Sequence, residues 1–212
     1  MFEIEYKGAN SVSISTKKST LVTDPKLSLV GLKDVSTKDA VELATETRFA
    51  VNSENARLNI EGPGEYGVGE FDIKGIAAQR HLDSEAEPFA STIYRVEINE
   101  TRIAIIGNVY EKLTETQLEE IGLVDILILP VGGNGYTLDA TGAASITRSI
   151  DPKIVMPIHY ADSGIKYEVQ QDTLETFTKE LGAPVEELPK FKLKQGAPLP
   201  SVLTTVVLGR AQ

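Results

Sequence analysis

An α/β layered domain, with one mixed sheet or two and helices on the outside, is the fold class this chain predicts. Three observations lead there. β-like segments dominate the first half, and strands alternate with helices in the second. Two short, continuous apolar runs, Ile126-Leu127-Ile128-Leu129 and Ile154-Val155-Met156-Pro157-Ile158, have the character of strands covered on both faces. No shift in composition marks a linker, so residues 1–212 read as one domain.

The elements follow in order. Phe2, Ile4 and Tyr6 alternate, Gly8-Ala9-Asn10 turns the chain, and Val12 and Ile14 resume, which predicts an N-terminal hairpin. Leu21-Val22 runs into Thr23-Asp24-Pro25, where the proline ends pairing and leaves Asp24 at a strand end. Val41 to Ala44 and Leu58 to Ile60 are short strand candidates. Glu61 to Tyr66 is turn chemistry, followed by a pair of strands around Gly69. Ser91–Ile98 and Arg102–Ile106 flank Asn99-Glu100, a two-residue hairpin turn. Thr114 to Gln117 forms a capping box for a helix that Gly122 closes. A helix is expected from Thr137 to Asp151-Pro152, and another from Asp172, with Leu174, Phe177 and Leu181 on one stripe and Gly182 past its end. A last strand is expected from Val202 to Leu208.

Composition removes several chemistries. The chain has no cysteine, which excludes disulfides, thiolate zinc sites, iron-sulfur clusters and a cysteine nucleophile. Its two histidines, His81 and His159, mean that a transition-metal site must lean on carboxylates. A net charge of −10 disfavours a grip on nucleic-acid phosphates. No apolar run approaches a membrane span, and Met1-Phe2-Glu3-Ile4-Glu5 lacks the basic-then-apolar opening of an export signal, so a cytoplasmic protein without membrane or nucleic-acid partners is expected. No Gly-x-Ser-x-Gly elbow supports a serine hydrolase.

The stretch richest in chemistry is Val124 to Gly135, then a helix, then Pro152-Lys153-Ile154-Val155-Met156-Pro157-Ile158-His159-Tyr160. Strand, glycine loop, helix and a second strand ending in histidine make a βαβ unit, and ligands gather at the ends of such strands. Gly132, Gly133, Asn134 and Gly135, ahead of a helix, are a candidate anion-binding loop, with a plain turn as the alternative.

These segments resemble the metallo-β-lactamase fold superfamily, in particular the small metal-dependent hydrolases similar to ascorbate-6-phosphate lactonase. There an "LPVGG" loop precedes a helix and a "PKIVIPMHY"-like strand carries the last metal histidine. Leu21 to Pro25 resembles the early strand ending in a structural aspartate, here Asp24, and Glu61 to Gly69 resembles "GPGEYEVG". Gly75 to Asp83 stands where a mid-chain metal histidine belongs, here His81, and Ile103 to Asn108 where a strand ends in "GD". The resemblance implies a four-layer αββα sandwich with two mixed sheets and helices outside. It also implies a dinuclear metal site with an HxHxDH signature.

At the signature's position stands Thr45-Glu46-Thr47-Arg48-Phe49-Ala50, and Asn108 replaces the bridging aspartate. Of the implied ligand set only His81 and His159 match, so no metal cofactor is expected. Candidate cleft residues are Asp24, Thr45, Thr47, His81, Asn108 and His159. A histidine acting alone as general base supplies only ~10²–10⁴-fold. The expectation is therefore a protein that has lost its dinuclear site and binds a small anionic ligand or a protein partner, with assembly into a homo-oligomer left open. The alternative is a hydrolase of lactones or phosphoesters using zinc or manganese in a site remodelled around His81 and His159, completed by Glu46, Asp83 or Asp162.

Overall fold

The computed structural model describes residues 1–81 and 90–211. The first hairpin is β1 (Phe2–Gly8) and β2 (Ser11–Ser15), paired antiparallel, followed by β3 (Thr20–Thr23). β4 (Val41–Leu43) and β5 (Leu58–Ile60) then pair parallel to β3 and to one another. With β13 (Phe191–Leu193) added beside β1, the first sheet has the order β13-β1-β2-β3-β4-β5.

The second sheet has eight strands. β6 (Gly64–Val68), β7 (Phe71–Ala78), β8 (Ser91–Ile98) and β9 (Thr101–Ile105) form an antiparallel meander. Its β8–β9 turn places Asn99 and Glu100 at positive φ, the backbone that a two-residue hairpin turn demands. From β9 onward pairing is parallel, through β10 (Ile126–Pro130), β11 (Ile154–Ile158), β14 (Thr204–Leu208) and finally β12 (Val185–Leu188).

Alternation along β10 explains the layering. Ile126 and Ile128 enter a core between the two sheets, with Ile4, Tyr6 and Leu43 from the first sheet and Tyr94 and Met156 from the second. Leu127 and Leu129 face the other way, into a core with Ala143, Ala144 and Phe177. Those last residues lie on α2 (Ala140–Ile150) and α3 (Leu174–Leu181), and Ile121 of α1 (Glu115–Ile121) joins them. Two mixed sheets face to face with helices outside is thus the observed architecture. All three α-helices cover the second sheet. On the outer face of β1, Glu3, Glu5 and Lys7 instead alternate with the core residues and pair with each other and with Lys190 and Lys192. Among the described residues no helix is long and apolar enough to cross a membrane.

Several boundaries differ from expectation. Gly64-Glu65-Tyr66 belongs to β6 rather than to a turn. The helix expected from Thr137 starts at Ala140, because the Asp139 carboxylate accepts the Gly142 N–H and caps it there. The next helix is preceded by Thr173 rather than Asp172, whose backbone N–H is committed to the Gly132 carbonyl. The last strand begins at Thr204, two residues after Val202. The edge strands β12 and β13 had no counterpart in the sequence reading, since neither shows clean alternation.

Candidate functional site

The site forms where strands of both sheets end. Asp24 follows β3, Thr45 and Glu46 follow β4, Asn108 follows β9, and His159 follows β11. The turn between β1 and β2 adds Asn10 from the opposite end of the chain. Ala9, Asp24 and His159 all have positive φ, of 46°, 45° and 52°. Side-chain-bearing residues seldom adopt that backbone, and it persists where surrounding structure enforces it. Each of the three turns its strand end back into the same small volume.

A directed chain of hydrogen bonds crosses that volume. His159 Nδ1 lies 2.7 Å from Asn10 Oδ1. Asn10 Nδ2 donates to Asn108 Oδ1 at 3.1 Å, and Asn108 Nδ2 donates to Glu46 Oε1 at 3.1 Å. The direction is set at the far end, because a carboxylate can only accept. Each amide therefore receives on its oxygen and gives on its nitrogen, so His159 carries its proton on Nδ1 and a lone pair on Nε2. Burial, reinforced by the charge of Arg48, pushes His159 down to about 3, and the ring is neutral at ordinary pH.

Glu46 is only 3% exposed, yet its charge is compensated. Arg48 Nε stands 3.0 Å and Arg80 Nη1 3.5 Å from Glu46 Oε2. Arg48 is itself held over the rings of Phe49 and Tyr136 and donates to the Tyr136 hydroxyl. Beside this cluster, Asp24 accepts from Thr45 twice, from the backbone N–H and from the hydroxyl, each at 2.7 Å. Burial nevertheless raises Asp24 to about 7, since the Thr45 bonds and Arg48 do not fully offset desolvation and the neighbouring Glu46 charge. Gly107 allows Thr45 this position: a β-carbon on Gly107 would lie 2.6 Å from the threonine side chain.

A narrow cleft opens beside His159, with about 30 Å³ open to a water-sized sphere. Phe49, Tyr136, Tyr167, Leu27 and Val30 make its walls largely aromatic and aliphatic, and Asp24, Lys26 and Glu168 bring charge to it. The His159 ring stacks on Tyr167 with centroids 4.8 Å apart. Its Nε2 is buried and has no hydrogen-bond partner among the described residues, and the same holds for Gln171 Oε1.

The predicted site residues fall into three groups. Asp24, Thr45, Asn108 and His159 come together, whereas Thr47 is exposed on the short 3-10 turn Thr47–Phe49. His81 is joined to the group through Asn108, whose carbonyl accepts the His81 N–H at 3.0 Å. Its Nδ1 is buried without a partner among the described residues, and it does not line the cleft. Of the proposed supplementary carboxylates, Glu46 is in the site, Asp162 is bonded to Arg210 at 2.7 Å, and Asp83 lies outside the described residues. Among the described residues no three His, Asp or Glu side chains are grouped so as to hold a metal ion.

One amide of the glycine loop, and two just beyond it, are spent internally. Gly133 N–H donates to Leu138 O, and Tyr136 and Thr137 N–H donate to Gly133 O. Asn134 donates to the Asp172 carboxylate at 3.2 Å, which brings an acidic group to the loop. The residues that sequence reasoning missed are Asn10, Arg80, Tyr136, Tyr167 and Gln171. Only Arg48, inside the signature window, carried a readable signal: a cation where a metal-binding sequence has a spacer.

Comparison with known proteins adds the following. A model of the beta-lactamase superfamily domain matches residues 3–159. A metal-dependent hydrolase from Natranaerobius thermophilus is 40% identical over 80 residues, 34% of this chain and 34% of that protein. A protein from Pyrococcus furiosus is 39% identical over 59 residues, 28% of this chain and 27% of its own length. The chain thus matches about a third or less of the length of each. A crystal structure of a metallo-beta-lactamase superfamily protein from Thermotoga maritima superposes with a TM-score of 0.75 at 22% identity, covering 98% of this chain and 99% of that one. Igni18, a metallo hydrolase from Ignicoccus hospitalis, gives 0.66 at 14% identity, covering 91% and 99%. At these identities the two structures speak for the fold.

Proposed function

The chain belongs to the beta-lactamase superfamily domain family, and from that premise we propose that it has lost the two-metal centre and uses its cleft to bind rather than to hydrolyse. The observation that carries this reading is the ion pair between Arg48 and the buried Glu46 on the turn after β4. A guanidinium fixed there, with Arg80 beside it, opposes entry of a divalent cation. The donor set argues the same way. Thr45 spends its hydroxyl on Asp24, Phe49 and Ala50 have no donor to give, and the Asn108 amide is consumed by Asn10 and the Glu46 carboxylate. These residues do not fit a pair of metal ions.

The ligand on this reading is a small molecule carrying a negative group. Lys26 on the cleft wall and Arg48, held over the rings of Phe49 and Tyr136, supply positive charge, against Glu168 and Asp24 on the same walls. Elemental analysis of protein purified without chelator tests the reading. Substoichiometric zinc, manganese and iron is expected, and one equivalent of any of them overturns it.

A second reading is favoured by one specific observation: both His81 and His159 keep a buried ring nitrogen with no partner. On that reading the protein is a metal-dependent hydrolase of lactones or phosphoesters with zinc or manganese between remodelled ligands. It predicts that His159→Ala abolishes both metal uptake and turnover, whereas on the binding reading there is neither to lose.

A further inference from the structure

The polarity of the hydrogen-bond chain says what kind of group the inner end of the cleft receives. Glu46 can only accept, so the amides of Asn108 and Asn10 are oriented toward it and His159 holds its proton on Nδ1. What His159 turns away from the chain is a bare acceptor, Nε2, which is buried, unpartnered and on a residue only 3% exposed. Gln171 repeats the pattern. Its Nε2 donates to Val169 O at 2.9 Å, and its Oε1, buried without a partner among the described residues, packs against Gly132 at the edge of the cleft. A buried acceptor left without a donor is unfavourable relative to a paired one. The walls beside the imidazole include Tyr167, which stacks on the His159 ring, Tyr136, which is tilted against it, and the side chains of Phe49 and Leu27.

We infer that the inner cleft is a recognition site for a flat, apolar group bearing a hydroxyl or N–H donor, which His159 Nε2 accepts. The inference rests on the binding reading above and specifies the buried end of the ligand. A ligand that presents only acceptors there would leave the His159 Nε2 lone pair unmet. One that presents a cation would meet a neutral imidazole in an apolar, aromatic slot. A planar donor satisfies the imidazole and covers the rings, and matching a hydrogen-bonding site discriminates far better than matching an apolar one.

The test uses two neutral fragments of nearly equal shape, 4-cresol, which has a phenolic donor, and 4-methylanisole, in which that donor is capped by methyl. Binding is followed by calorimetry and by side-chain ¹H–¹⁵N spectra of the two histidines. Expected is at least about tenfold tighter binding of 4-cresol, a ratio equal to ~1.4 kcal/mol, with a change confined to the Nε2 signal of His159. His159→Asn, chosen because asparagine tolerates the left-handed backbone at this position, is expected to erase the preference while the protein stays folded. Equal binding of the two fragments, or a 4-cresol preference that survives in His159→Asn, overturns the inference. A parallel titration with zinc separates this from the reading beneath it. Zinc that binds stoichiometrically and displaces 4-cresol overturns the metal-free reading itself, whereas no zinc uptake together with equal fragment binding overturns the inference alone.

Discussion

His159 and Asn10 stand 149 residues apart and meet through a 2.7 Å hydrogen bond between Nδ1 and Oδ1. This bond ties the end of β11, in the second sheet, to the first hairpin of the other sheet. It also orients the imidazole, because Asn10 must offer its oxygen in order to give its nitrogen to Asn108.

Asn10→Ala removes that tie. His159 Nδ1 and Asn108 Oδ1 both lose a buried partner, which is expected to cost about 1–3 kcal/mol. The ¹⁵N spectrum of His159 should change from the single Nδ1–H form to a mixture of tautomers. A variant with unchanged stability and one unmixed tautomer argues that the backbone, not the amide chain, holds the ring.

Glu46→Gln keeps an oxygen for Asn108 but removes the charge that Arg48 and Arg80 neutralise. Both arginines are about one-third exposed, so water takes over part of their solvation. The expected loss is on the order of 1–3 kcal/mol in urea unfolding, short of the ~3–5 kcal/mol for breaking a fully buried pair. No measurable loss would mean that Glu46 is held by the fold without needing its ion pairs.

Stability should depend on pH through two opposing groups. Asp24 is raised from 3.8 to about 7 in the fold. Between those values the folded protein keeps a proton that the unfolded chain releases, so stability falls as pH rises. His159 is lowered from 6.5 to about 3, so between those values the unfolded chain takes up a proton that the fold refuses, and stability falls as pH drops. Each group contributes up to ~1.4 kcal/mol per pH unit, and the two slopes oppose between 3.8 and 6.5. Asp24→Asn should expose a rising slope there, and His159→Asn a falling one. Chemical denaturation across that range measures both, and parallel curves for wild type and the two variants refute the scheme.

Gly132→Ala is expected to destabilise by ~1–3 kcal/mol, since a β-carbon there would collide with the His159 carbonyl oxygen, a backbone atom that cannot swing away, and with Gln171 Oε1. Gly135→Ala meets open space and costs only the ~1–2 kcal/mol of a left-handed backbone, φ 73°. Thermal denaturation compares the two. Tolerance of alanine at Gly132 would show that the loop packs less tightly on His159 than described.

The βαβ unit was readable in detail because its strands are buried on both faces: β10 and β11 consist of continuous apolar runs, and their parallel register follows. Helix α1 was readable from its capping box, which forms as expected between Thr114 and Gln117. The start of α2 was not, because Thr137 and Asp139 are both competent caps and only the packing of Thr137 into the interior leaves the role to Asp139. The strands β12 and β13 were illegible for a different reason. Val185, Glu186 and Glu187 are exposed, and their strand exists because β14 offers it an edge. At the site, motif order pointed to Asp24, Asn108 and His159, yet nothing marked Asn10, a turn residue like any other until the sheets are stacked.

Local residue order determined the strands, the cap of α1 and the absence of a metal-binding signature after β4, because periodicity, capping and donor chemistry are properties of neighbouring residues. Tertiary structure decided which polar atoms meet: that Glu46 faces two arginines, that two asparagines connect it to His159, and that Nε2 is left bare beside aromatic walls. Those contacts join segments scattered along the chain, and a hydrogen bond depends on the position and direction of both partners, which only the assembled sheets supply.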